Sequence, residues 1–195
     1  MQGVVELHRF AGEELALLVG GMDRTAWSAP TPCEAWDVRA LVNHVTAENL
    51  WVPELLAGRS VEEVGDRFDG DVLGDEPVTA CTHAIEVADA AVSAPGALDG
   101  EVTVSYGAVP AATFIGHRFV DLVVHGWDLA AATGQERDLH PGLLAALWAE
   151  VEPQLEFFQA SGLFGTPAAV SDDAPLQDRV LTALGRDPAW TPPAG

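Results

Sequence analysis

The sequence predicts an all-α helix bundle, and three observations carry that expectation. Apolar residues recur at helical spacing through long segments bounded by Pro or Gly. Only one stretch, Glu101 to Tyr106, alternates in the manner of a strand, and it is too short to be a sheet alone. No internal repeat or low-complexity linker breaks the chain. All of 1–195 is therefore expected to form a single domain of packed helices joined by short connections.

Val4 to Leu18 reads as the first helix. Val4, Leu7, Phe10, Leu15 and Leu18 make its apolar face, with Glu6, His8, Arg9, Glu13 and Glu14 largely off it, and Gly20-Gly21 ends it. Trp27 to Trp36 is a proline-broken loop, and Asp37 is a good N-cap for the next helix. That second helix runs from about Val38 to Ala57, with Val38, Leu41, Val42, Val45, Leu50 and Trp51 apolar and His44 among them. Pro53 bends it and Gly58 stops it, and Gly65 to Gly74 is loop. Pro77 opens a third helix that runs to about Ala94. After Glu101–Tyr106, Pro110 opens a fourth helix ending near Thr133-Gly134. A fifth runs from Leu143 to Ala160, with a kink or break at Pro153. The chain is loop-rich after Gly162, apart from a short closing helix from Pro175 to Leu184, and prolines leave an irregular tail.

The fourth helix is unusual. From Phe114 to Ala132 it is apolar on nearly every side, the mark of a buried helix. Yet Asp121 and His125 stand four residues apart on one of its faces. A buried charge must be paired or must bind a metal. Bundles build metal sites from side chains on facing helices, and His44 is the histidine placed to supply a third ligand. Two nitrogens and a carboxylate oxygen suit Zn²⁺ first, with Ni²⁺ or Fe²⁺ as alternatives. Three protein ligands leave a position open, as catalytic sites do. The plainer alternative is an Asp–His hydrogen-bonded pair with a satisfied core histidine. Glu48, one turn after His44, and His117, one turn before Asp121, compete for ligand status. Asp128 either orients His125 through its far ring nitrogen or faces outward near the helix end. Trp36 and Trp127 either wall a pocket or are plain core. Cys33 sits near a helix start, where a thiolate is favoured, although a small buried hydrophobe is the commoner role.

The composition excludes several function classes. With 30 acidic and 9 basic residues the formal charge is −21, a surface that repels phosphate, so neither nucleic acid nor an anionic membrane is an expected partner. Two cysteines make no disulfide framework and fit a reducing cytoplasm. There is no signal-like leader in Met1–Phe10, and no uncharged apolar run reaches the ~20 residues of a membrane span. The expected location is cytoplasmic.

Thr31-Pro32-Cys33-Glu34-Ala35-Trp36-Asp37-Val38-Arg39-Ala40-Leu41-Val42-Asn43-His44 resembles the Thr-Pro-Cys-x-x-Trp-x-Val-x-x-Leu-x-x-His opening of the mycothiol-dependent maleylpyruvate isomerase N-terminal domains. His125-Gly126-Trp127-Asp128-Leu129-Ala130 with Ala132-Thr133-Gly134 resembles their second signature. Asp173 to Leu181 and Gly185-Arg186-Asp187-Pro188 resemble the C-terminal signature of an actinobacterial metal-binding subgroup. The resemblance implies a DinB-like four-helix bundle, here with a short extra helix and an irregular C-terminal segment. It implies a divalent metal held by a His on the second helix and an acid/His-x-x-x-His pair on a later one, which fall on His44, Asp121 and His125. The isomerase has Glu where Asp121 stands, and Asp is one methylene shorter. The resemblance also implies a separate C-terminal domain in the isomerase, which this chain ends too soon to hold.

The leading expectation for function is a metal-dependent thiol S-transferase or isomerase that uses mycothiol as cosubstrate. Its partners are then a small-molecule thiol and an electrophile, and a homodimer is compatible with it. A metal-dependent hydrolase with Glu48 or His117 as base uses the same ligands, and a non-catalytic bundle that binds a metal or small ligand is the third alternative.

Overall fold

The computed structural model describes residues 3–34, 36–105, 107–160, 165–171 and 173–193. The helices are α1 (Val4–Gly21), α2 (Val38–Leu56), α3 (Val61–Val64), α4 (Pro77–Val92), α5 (Ala111–Thr133), α6 (Pro141–Val151), α7 (Leu155–Ala160) and α8 (Leu176–Ala183). Two short antiparallel strands, β1 (Glu101–Val104) and β2 (Gly107–Pro110), pair in register from Glu101 opposite Pro110 to Val104 opposite Gly107. Among the described residues the fold is thus all-α apart from this strand pair. Among the described residues no helix is long and apolar enough to cross a membrane.

The contacts divide the chain into two compact units. The first, Met1–Gly21 with Val42–Leu122, contains α1, most of α2, α3, α4, the strand pair and the first half of α5. Its core joins Val52 and Leu55 of α2, Ala88 and Val92 of α4, Val102 and Val104 of β1, and Ala111, Phe114 and Ile115 of α5. The second, Met22–Leu41 with Val123–Gly195, contains the Thr31–Trp36 loop, the start of α2, the rest of α5, and α6 to α8. Trp127, Ala131 and Leu181 form a core cluster there, flanked by Leu139 and Trp190.

Several elements differ from the sequence expectation. On α1 the buried stripe is His8, Ala11, Gly12, Leu15 and Val19, so His8 lies on the inner face and not off it. The reason is packing against α4: the small residues Ala11 and Gly12 face inward, and a Cβ on Gly12 would lie 2.9 Å from Ile85 Cγ2. On α2, Val52 and Leu55 are buried, while Leu50 and Trp51 are only half-buried. β2 occupies Gly107–Pro110, so Pro110 ends a strand and α5 begins at Ala111. Pro153 does break the fifth helix: α6 stops at Val151, a 3₁₀ turn spans Glu152–Gln154, and α7 comes after it. α3 and a 3₁₀ turn at Arg24–Ser28 have no counterpart in the sequence expectation. Ala35, Tyr106 and Gly162, named above in the loop, the strand and the start of the tail, lie outside the described residues.

Candidate metal centre

α5 is one continuous helix, so Asp121 and His125 do stand one turn apart on it. Asp121 is partly buried and His125 is 4 % exposed. In the first unit, His44 Nε2 of α2 lies 3.6 Å from Asp121 Oδ1. The other oxygen, Oδ2, lies 3.1 Å from Arg118 Nη2, and Arg118 Nη1 donates to Glu48 Oε2 at 2.9 Å. Arg118, 5 % exposed, therefore ties Asp121 of α5 and Glu48 of α2 together. Glu48 is engaged by this cation, and His117 sits half-buried one turn before Asp121.

The separation of His44 and Asp121 tests whether the donors fit an ion. Metal–ligand bonds of ~2.0–2.2 Å at a tetrahedral angle put two donor atoms ~3.4 Å apart. The observed 3.6 Å is close to that spacing and beyond an ordinary hydrogen bond. The donor types, imidazole nitrogen and carboxylate oxygen, suit a borderline divalent cation.

The second unit holds the surroundings of His125. Asp128, the residue whose orientation the sequence leaves open, is fully buried and faces inward. Its Oδ2 lies 3.0 Å from His125 Nδ1. Arg186 donates to it through Nε to Oδ1 at 3.2 Å and Nη2 to Oδ2 at 2.8 Å, and Cys33 Sγ lies 3.3 Å from Oδ2. Burial pushes the Asp128 carboxyl up, but the hydrogen bond from His125 and the adjacent Arg186 guanidinium outweigh it and hold the group below the usual carboxylate range. An ionised carboxylate only accepts, so His125 Nδ1 is assigned as the donor of this hydrogen bond, which in the neutral ring leaves the lone pair on Nε2.

The loop before α2 is built to present Cys33 and Trp36. Thr31 Oγ1 donates to the Trp36 carbonyl at 2.8 Å and accepts from Cys33 N–H at 3.1 Å. Pro30 and Asp37 pair across it, and the Asp37 carboxylate accepts from Ala40 N–H at 2.8 Å, capping α2 as expected. The Trp36 ring stands 5.6 Å from the His125 ring. Cys33 is not a buried hydrophobe: it is half-exposed, and its sulfur also accepts from Arg186 Nη2 at 3.1 Å. Trp127 is core, 1 % exposed, with Arg137 over its ring at 5.8 Å.

Two residues that matter to this geometry are absent from the sequence-derived set. Arg118 has a local signal, an arginine three residues before an aspartate on a buried helix. Arg186 has none of that kind, because its carboxylate partner lies 58 residues away.

Comparison with known proteins gives a consistent result. A family model described as the mycothiol maleylpyruvate isomerase N-terminal domain matches residues 8–130. Two Mycobacterium tuberculosis proteins described as uncharacterized, from strains CDC 1551 / Oshkosh and ATCC 25618 / H37Rv, are each 35% identical over 184 residues, covering 92% of this chain and 95% of theirs. A crystal structure of the mycothiol-dependent maleylpyruvate isomerase has the same fold, with a TM-score of 0.67 at 19% identity over 97% of this chain and 94% of that one. A histidine-to-alanine mutant of that isomerase gives a TM-score of 0.65 at 18% identity, over 94% and 91%.

Proposed function

Because the chain belongs to the mycothiol maleylpyruvate isomerase N-terminal domain family, we propose that it is a divalent-metal protein acting on a low-molecular-weight thiol, mycothiol by that kinship, as an isomerase or S-transferase. His44, Asp121 and His125 are the proposed ligands. The observation that carries this reading is the approach of His44 Nε2 to Asp121 Oδ1 at ligand spacing, on the helix that bears His125 one turn later. Arg118 pairs electrostatically with the other oxygen of Asp121, Oδ2, while Oδ1 is the oxygen nearer His44. Asp128 fixes the His125 ring and its tautomer. Trp36 shields one side of that ring from water. A divalent ion held there, Zn²⁺ first on donor chemistry, supplies the Lewis acidity that lowers the pKa of a coordinating thiol from its ordinary ~8.5. The reacting partner is an electrophile, and the acidic surface disfavours a polyanionic one.

Cobalt substitution tests this. Millimolar mycothiol or a close analogue is expected to produce a sulfur-to-cobalt charge-transfer band in the near ultraviolet, with a pH midpoint well below the free thiol's ~8.5. Thiol transfer to a chlorinated dinitrobenzene is expected from the metal-loaded protein and not from the apoprotein. Absence of both the band and the transfer overturns the thiol reading, and turnover of an ester panel in their place assigns the centre to hydrolysis.

A further inference from the structure

Cys33, His125 and Asp128 make a second set of metal-type donors, with one ligand atom from each lying within 4.8 Å of the others. The set shares His125 with the proposed centre, so any role assigned to it rests on that reading. It differs in that a cation already sits inside it. Arg186 Nη2 lies 2.8 Å from Asp128 Oδ2 and 3.1 Å from Cys33 Sγ, and its Nε lies 3.2 Å from Asp128 Oδ1. Both carboxylate oxygens and the sulfur, the atoms a metal would have to take from Cys33 and Asp128, are thereby occupied. A guanidinium does not give up its proton in a protein, so the positive charge at this position persists at any working pH, whereas a metal would also have to displace the thiol proton to solvent.

The backbone around Arg186 is fixed for this role. Its N–H donates to the Leu181 carbonyl at 2.8 Å, and its Nη1 donates to the Leu184 carbonyl at 2.9 Å. Gly185 before it has φ +74°, and a Cβ there would collide with the Gly165 backbone, so only glycine allows the turn that swings Arg186 inward.

We infer that Arg186 is a positioning residue of the metal centre: it is the resident cation of the Cys33–Asp128–His125 set, holds Asp128 against His125 Nδ1 so that Nε2 keeps the lone pair, and keeps Cys33 and Asp128 out of the metal's coordination. The geometry makes the selection between two donor sets that share one histidine. A thiolate is the better ligand for Zn²⁺-like ions, so without the guanidinium the ion is drawn toward Cys33.

The test uses cobalt(II) and phosphine-reduced protein with no added thiol. The wild type is expected to show a nitrogen/oxygen-type cobalt spectrum without a sulfur-to-cobalt band. Arg186→Gln is expected to gain that band, Cys33→Ser/Arg186→Gln to lose it again, and Arg186→Lys, which keeps a cation, to lack it. Should the Gln variant fail to fold, Cys33→Ser in the wild-type background decides: an unchanged cobalt spectrum and affinity supports the inference, and a changed one overturns it. A Cys33-dependent band in the wild type, or no band in a folded Gln variant, also overturns it. If the wild type takes up no cobalt, the proposed metal-dependent function falls, while the spectrum of the Gln variant still decides the role of Arg186.

Discussion

His8 and His125 are both buried, and they meet the cost of burial in opposite ways. His125 has Asp128 on Nδ1, whereas neither ring nitrogen of His8 has a hydrogen-bond partner among the described residues. Burial, with the charge of Arg118 nearby, lowers the His8 pKa from 6.5 to about 4. A histidine depressed in the folded state stabilises the fold in full above the unfolded value, and that contribution is lost as pH falls from 6.5 toward 4. The loss amounts to ~3 kcal/mol, from ~1.4 kcal/mol per pH unit of difference between the two states. His8→Leu is therefore expected to flatten the acid limb of stability between those pH values, measured by urea unfolding. An unchanged acid limb would show that His8 is not the group responsible. The sequence placed His8 outside because a histidine beside arginine and glutamates reads as polar face. What turns the helix is the inward placement of Ala11 and Gly12, which only the packing partner reveals. Asp128 is a similar case. Its spacing from His125 was legible, but its direction depended on Arg186, far along the chain.

At the scale of elements, α5 was legible almost to the residue, because apolar residues on every side leave few alternatives to a buried helix. The break at Pro153 was legible for the same kind of local reason. β2 was not, since Gly107-Ala108-Val109-Pro110 has no alternation and is a strand only because β1 pairs with it. The α1–α4 contact offers a sharp check on packing. Gly12→Ala raises helix propensity by ~1 kcal/mol, but its Cβ meets the branch methyl of Ile85, and overpacking of this kind costs ~1–3 kcal/mol. The substitution is expected to lower stability in the wild type and to raise it in an Ile85→Ala background, where the methyl is gone. The same sign in both backgrounds, read from urea midpoints, would refute the close contact.

For the whole molecule, the family, the all-α fold and the shared architecture with the isomerase were legible in motifs spread along the chain. The function beyond that turns on whether His44, Asp121 and His125 hold an ion, and the −21 charge does not answer it, since an acidic surface attracts cations without selecting among them. Three histidines separate specific ligation from such attraction. His44 and His125 are proposed ligands, while His140 is exposed and accepts the Gly142 N–H at the start of α6. The most direct measurement is the metal content of untagged protein after exhaustive dialysis against Zn²⁺, Ni²⁺ or Fe²⁺ and removal of loose ions. The account predicts about one tightly held divalent ion per chain, as a three-ligand centre requires, lost in His44→Ala and in His125→Ala and retained in His140→Ala. A wild-type chain that keeps no divalent ion, or a folded His44→Ala or His125→Ala variant that keeps it as tightly as the wild type, would contradict the account.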